Sequence, residues 1–378
     1  MSRDKEPVFD KNYHFDKIMS NLFYPVSKKY LITNQSQQKA EVGHYLSQVS
    51  WHNLLKFTNW RNAMAKNMIQ FQAGLSLKDF LALYGSEEQC RASLFALRWP
   101  NGFICPKCGH EAFYLVSARN LYQCRQCRRQ TSLTSGTIFA DSKIGLTIWF
   151  LGIYLITQSK NGVSSLDLAR VLGVSANTAL TIKHKLQRVM QLHEQSRRLS
   201  GPVQIDDAYL GGKQHGGKRG RGAAGKTPII AALSTDDKAH PLLMTLDQVN
   251  GFTKQQVAAW ALKRLSPGSS VISDGLQCFS GVKTADCAHQ IIVTGGGADS
   301  VKIEEFKWVN TMLGNVKNAM MGTYHAIRKN HIPGYLAEFC YRFNHRFKLQ
   351  ALITRLATDA IQTLPIPQRF LKLAEIPW

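Results

Sequence analysis

Acidic residues are scarce in this sequence. Only 25 Asp and Glu stand against 47 Lys and Arg, which leaves a net charge of +22 over 378 residues and an isoelectric point near 9.8. The excess suits a polyanionic partner, most simply nucleic acid; the alternative is a generally basic soluble protein. Long apolar runs are also lacking. The longest uncharged one, Gly145 to Gln158 between Lys143 and Lys160, is too short to span a bilayer and fits a buried core helix. The first residues, Met1 to Lys11, are mostly polar and charged and do not read as a secretory signal. Cysteine is sparse: 8 in all, four of them in two close pairs, a pattern of metal ligation rather than disulfides in a cytosolic chain. Hydrophobic residues make up 44%, enough for the cores of two or three domains.

Residues 1–69 form a poorly defined extension with loop-like stretches such as Asn34 to Gln38. Because Met64 and Met68 directly precede the first domain pattern, the leading 63 or 67 residues are expected to be an upstream extension of the reading frame. A helical lead-in follows over 70–98, with its pattern from Leu77 to Leu97 and a capping box formed by Ser86 and Gln89. Cys90 lacks a close Cys or His partner and reads as a core thiol.

Residues 99–135 carry the strongest local signal. Cys105-Pro106-Lys107-Cys108-Gly109 is followed, after fifteen intervening residues, by Cys124-Arg125-Gln126-Cys127. Two such turns place four thiolates around one structural Zn²⁺ in a closed site, and Gly109 suits the tight turn after the second ligand. His110 is then a surface residue. Arg119, Arg125, Arg128 and Arg129 crowd the rim and suit phosphates.

Within 140–198 a helix is expected from Ile144 to Ile156, then a helix-turn-helix. Ser164 caps a first helix ending at Leu172, Gly173-Val174 turns, and Ser175 caps a second helix to about Leu192. As a recognition helix, the second would offer Asn177, Thr178, Thr181, Lys183, Lys185 and Arg188 to DNA; as a plain helical hairpin it would belong to a core.

After the break at Ser200-Gly201-Pro202, Val203 to Leu210 reads as a buried strand. Val203, Ile205 and Tyr209 share one face and Asp206 takes the other. A buried carboxylate persists when it is paired, hydrogen-bonded or metal-bound. Asp207 points to the opposite face and is the poorer candidate. Residues 220–227 match a phosphate-binding loop, but Pro228 and an apolar, strand-like run follow where a helix should start. A basic hairpin tip carrying Arg219 and Arg221 toward DNA fits better. Strands at Ile229–Leu233 and Leu242–Leu246, a helix from Thr253 to Leu265 and a strand ending at Asp274 complete a mixed α/β sheet in outline. If the first and fourth strands are neighbours, Asp206 and Asp274 face each other and with water can hold Mg²⁺ or Mn²⁺. A long helix is expected from about Ser300 through Thr323. It puts Asn310 and Lys317, seven apart, on one face. A last helical region, Ile332 to Ala357, carries Arg342, Asn344, His345 and Arg346 either as a cover helix or as a DNA contact.

Taken together, these segments resemble bacterial insertion-sequence transposases that join a zinc ribbon and helix-turn-helix to a ribonuclease H-like nuclease. The resemblance covers roughly Phe71 to Leu349. Its distinctive segments are Arg98-Trp99-Pro100 with the ribbon, Asp206 through Lys213, Gly225-Lys226-Thr227-Pro228, Ser273-Asp274, Met321 through His325, and Tyr341 through Asn344. It implies a multidomain α+β fold: a zinc ribbon and a helical helix-turn-helix domain, then a ribonuclease H-like mixed α/β catalytic domain over 202–350, with 351–378 as a tail.

The resemblance also implies an Asp-Asp-Glu site holding two Mg²⁺ or Mn²⁺ ions. Carried over, the acids are Asp206 and Asp274, the third position is Asn310, and Lys317 matches the family's Lys. Asn departs from the acidic pattern, as branches of the family do; its carbonyl can still ligate Mg²⁺. Glu304 or Glu305 is the second choice for that ligand. The implied activity is metal-dependent cleavage and strand transfer on double-stranded DNA, at terminal inverted repeats and target. The protein would act as at least a dimer, in the cytoplasm of a bacterial cell and at its nucleoid. The alternatives are a DNA-binding regulator derived from a transposase that has lost catalysis, and an RNA-processing zinc-ribbon nuclease.

Overall fold

The computed structural model describes residues 74–211, 225–293, 303–325 and 327–374. Local sequence sets most of the helix starts. Ser76 caps α1 (Leu77–Tyr84), and Ser86 with Gln89 forms a reciprocal capping box at α2 (Glu87–Arg98). The lead-in is therefore two helices, broken at Gly85-Ser86.

A three-stranded antiparallel sheet follows: β1 (Phe113–Val116), β2 (Leu121–Cys124) and β3 (Gln130–Ser132). Arg98 ties α2 to this sheet by donating to the carbonyls of Ser132, Leu133 and Ser135. The buried helix is α3 (Leu146–Gln158). Next, Ser164 caps α4 (Ser165–Leu172) and Ser175 caps α5 (Ala176–Gln195). Gly173 between them has φ 64°, a left-handed turn that an L side chain resists.

The second sheet has the order β6-β5-β4-β7-β8, with β4 (Pro202–Leu210) central. β5 (Thr227–Thr235) runs antiparallel to both β4 and β6 (Pro241–Gln248). The helix α6 (Lys254–Arg264), capped by Thr253, returns the chain to β7 (Ser270–Ser273), which lies parallel to β4. The parallel edge strand β8 (Ala288–Ile291) carries no clear alternation and was not expected.

Each face of this sheet is covered. One packs Ala208, Ala231 and Leu246 against Val309, Leu313 and Val316 of α7 (Lys307–Ala319) and against α8 (Ile332–Asn344). The other packs Val203, Ile205 and Ile230 against Val257, Trp260 and Ala261 of α6. The expected long helix thus starts at Lys307, after a short turn at Glu304–Phe306, and closes in a wider turn at Met320–Tyr324.

The expected helix from Ile332 to Ala357 is interrupted at Lys348, where the backbone leaves the helical region. Beyond it, α9 (Leu352–Gln362) buries Leu352, Ile353, Leu356, Ala357 and Ala360 in the same core as α2, α3 and α5. Residues 352–362 are therefore an integral helix, not a tail. The amphipathic spacing of five apolar side chains drives them inside. A short helix α10 (Gln368–Leu373) follows. Among the described residues, no helix is long and apolar enough to cross a membrane.

Candidate metal centre

Two clusters of metal-ligating side chains fit the expected chemistry. The first is Cys105, Cys108, Cys124 and Cys127, whose sulfurs lie within 4.8 Å of one another. Cys105 and Cys127 Sγ are 3.5 Å apart, Cys108 and Cys124 Sγ 3.6 Å. A tetrahedron with Zn–S bonds of about 2.3 Å has edges of about 3.8 Å, so the four thiols fit one Zn²⁺. Positive φ at Gly109 and Arg128 turns the chain back after each ligand pair. The rim residues Arg119, Arg125, Arg128 and Arg129 are exposed, and the Arg125 guanidinium stacks on the exposed ring of Tyr114.

The second cluster brings carboxylate oxygens of Asp206, Asp207 and Asp274 within 4.8 Å of one another. Topology explains it. β4 and β7 are neighbours and parallel, as the facing of Asp206 and Asp274 required, but they pair only as far as Gln204 and Ile272. Beyond that point the strands carry their carboxylates at one end of the sheet. Asp206 lies opposite Ala231, on the face that α7 covers. Its Oδ1 accepts from the Asp207 N–H at 2.8 Å, and Asp274 Oδ1 accepts from the Leu276 N–H at 3.1 Å. Ser273, fully buried beside Asp274, lies 2.8 Å from His289 Nε2 through its hydroxyl.

Electrostatics single out Asp206. Burial, then the charges of Asp207 and Asp274, push its carboxyl up to about 7, while Lys317 acts the other way. A cation among these three oxygen donors would relieve that strain, and an all-oxygen set suits a hard divalent ion. Asp207 departs from expectation. Alternation assigns it to the far face, yet its carboxylate joins the cluster, at a point where β4 still pairs with β5 but no longer with β7. The run of two acids was the signal. On α7, Asn310 is half-buried and Lys317 exposed. Glu304 and Glu305 are exposed, and Glu304 is held 2.6 Å from Lys307.

A third ligand-like group, His193, Glu194 and His345, fails the same fit. Arg197 holds both Glu194 oxygens, at 2.7 and 3.0 Å, and Asn344 donates to one of them at 2.7 Å.

Residues 198–344 match the family model of the ISXO2-like transposase domain, and residues 85–130 that of a transposase zinc-ribbon domain. The chain belongs with the insertion-sequence transposases. An uncharacterized protein in transposable element ISH50 of Halobacterium salinarum is 24% identical over 274 residues, 68% of this chain and 90% of that protein. Within this transposase, the four cysteines fall in the matched ribbon, and Asp206, Asp274, Asn310 and Lys317 fall in the matched transposase domain.

The residues expected to meet DNA separate sharply. Asn177 at the start of α5 is exposed, and Thr178, Thr181 and Arg188 are half-buried. Lys183 and Lys185, however, are buried. Lys183 Nζ donates to the Val163 carbonyl and lies 3.9 Å from the Tyr324 ring centroid; Lys185 Nζ donates to the Ile138 carbonyl at 2.9 Å. Both are corrected to core residues: the rings of Tyr324 and Tyr335 close over Lys183, and Lys185 is taken up by the Ile138 carbonyl beside the Trp149 ring. Arg342 and Arg346 are likewise buried, and Asn344 bonds Met244 and Glu194, so that stretch is a cover helix. Arg219 and Arg221 lie outside the described residues.

Proposed function

We propose that this chain cuts and joins DNA at the ends of its insertion sequence as a metal-dependent polynucleotidyl transferase. The observation that carries the reading is the convergence of Asp206 and Asp274 carboxylates at the ends of adjacent parallel strands. The sheet order, with β5 antiparallel between β4 and β6 and with β4, β7 and β8 parallel, supports a ribonuclease H-like domain over 202–350.

In this reading Asp206 and Asp274 anchor two divalent cations, Mg²⁺ or Mn²⁺, and Asn310 adds a neutral oxygen from α7. Bound there, the cations would offset charge growing on the entering and leaving oxygens of an in-line phosphodiester displacement. Asp207, within reach of the same space, adds charge that holds the cations. Lys317 shares the Asn310 face of α7, and the pull of its charge on the Asp206 carboxyl supports a role beside the cluster, where it would meet a DNA phosphate. The exposed ribbon arginines and Asn177 would hold the duplex through its backbone and at a base edge. Pairing two DNA ends calls for at least a dimer.

A second reading, a regulator that binds the same ends without cutting them, draws support from the neutral Asn310. Joining of a labelled transposon end to plasmid DNA in Mg²⁺ or Mn²⁺ separates the two. Wild type should form joined product and Asp206→Asn none, with end binding retained by both. Binding without joining in every metal would favour the regulator.

A further inference from the structure

α7 begins without a cap of its own. Phe306 stands at its N-cap, and no side chain there accepts from the first turn. The first N–H groups of a helix have no partner within the helix and must find one elsewhere. For Val309, the third residue of α7, that partner is distant in sequence. Gln204 Oε1 on β4 accepts from the Val309 N–H at 3.1 Å in a buried hydrogen bond.

Gln204 is itself buried at 8% exposure and lies two residues before Asp206, so both side chains leave the same face of β4. Val309 immediately precedes Asn310. One amide thus links the strand bearing the first carboxylate to the helix bearing the third expected ligand. The packing of Val309, Leu313 and Val316 on the sheet is apolar and would tolerate a small slide of α7 along β4. A directional hydrogen bond at the helix start does not tolerate it.

We infer that Gln204 is a positioning residue: its amide oxygen fixes the start of α7 on β4 and thereby sets how Asn310 stands toward Asp206. This rests on the reading of Asp206, Asp274 and Asn310 as cation ligands. Groups that orient metal ligands typically change affinity by about 10- to 100-fold when removed.

The test uses the full chain and Mn²⁺ alone. Free Mn²⁺ is followed by electron paramagnetic resonance, and hydrogen exchange is followed in the metal-free protein over peptides spanning Val309. Gln204→Met keeps the side-chain length without the acceptor. It should weaken Mn²⁺ binding about tenfold or more and speed exchange in the first turn of α7. Gln204→Glu, which restores an acceptor at the same reach, should return exchange to the wild-type rate. Should Gln204→Met fail to fold, Gln204→Asn, one methylene too short, carries the same expectations. Wild-type Mn²⁺ affinity in a folded Met or Asn variant overturns the positioning role alone, provided that Asp206→Asn abolishes binding. If the wild type itself takes up no Asp206-dependent Mn²⁺, the cation-site reading fails and the inference with it.

Discussion

Asp206 and Asp274 bring carboxylate oxygens within 4.8 Å of each other from the ends of two adjacent parallel strands. Like charges at that spacing in a partly buried site oppose folding unless a proton or a cation intervenes. Asp206→Asn should therefore remove the catalysis and yet leave the metal-free protein as stable as the wild type or more so. Thermal melting of the zinc-loaded protein without added Mg²⁺ or Mn²⁺ checks this; a clear fall in melting temperature would mean that the carboxylate is held by interactions other than a cation.

The same relationship gives a pH dependence with a defined sign. The Asp206 carboxyl is raised to about 7 in the folded chain from 3.8. The folded state then binds more protons than the unfolded one between those values, so the stability of the metal-free protein falls as pH rises from about 4 to 7. The upper bound is about 4 kcal/mol at 1.36 kcal/mol per unit, reduced by solvent screening. Saturating Mn²⁺ should flatten the slope, since it replaces the proton. Urea denaturation at several pH values, with and without Mn²⁺, measures both.

Lys183 has become a stability residue. With Arg342, it surrounds the fully buried Glu338 with positive charge, and Gln187 and Tyr324 each donate to that carboxylate at 2.8 Å. Lys183→Met should cost about 3 kcal/mol of folding free energy, because it leaves a buried charge less well compensated. Asn177→Ala, exposed on the same helix, should change stability by no more than about 0.5 kcal/mol and weaken DNA binding instead. Denaturation curves set beside gel-shift titrations discriminate the two roles.

Zinc removal should spread beyond the ribbon. Cys105, Cys124, Phe103 and Tyr122 belong to one core with α2, α3, α5 and α9. Structural Zn²⁺ contributes on the order of 10 kcal/mol. Chelation, or Cys105→Ser, should release one zinc per chain and lower the melting transition of the helical core. A ribbon that loses its metal while the helical transition stays in place would show that the two fold separately.

Short-range chemistry made much of this fold legible. Ser86 with Gln89, Ser164, Ser175 and Thr253 mark their helix starts because a cap is a bond across three residues. The two cysteine pairs were legible for the same reason, whereas the facing of Asp206 and Asp274 followed only on the condition that the first and fourth strands are neighbours, and from the family resemblance. Long-range coverage was not. The burial of Lys183 depends on Tyr324 and Tyr335, far along the chain, and that of Lys185 on Ile138 and Trp149 from the segment before α4. Asp207 joins the carboxylates where β4 and β7 no longer pair, which alternation does not show. The pairing of Asn344 with Met244, 2.7 Å from the Met244 N–H to Oδ1 and 3.0 Å from Nδ2 to the Met244 carbonyl, satisfies both edge groups of that β6 residue. No local pattern announces such a bond.

Cation binding by Asp206 and Asp274 is tested by Mn²⁺-dependent nicking of a duplex carrying one end of the chain's own insertion sequence. Wild type, Asp206→Asn, Asp274→Asn and Asn310→Ala are compared, with binding measured alongside. The wild type should nick, neither Asp variant should, and Asn310→Ala should need more Mn²⁺, with DNA binding intact throughout. Undiminished nicking by Asp206→Asn or Asp274→Asn would contradict cation binding by these residues.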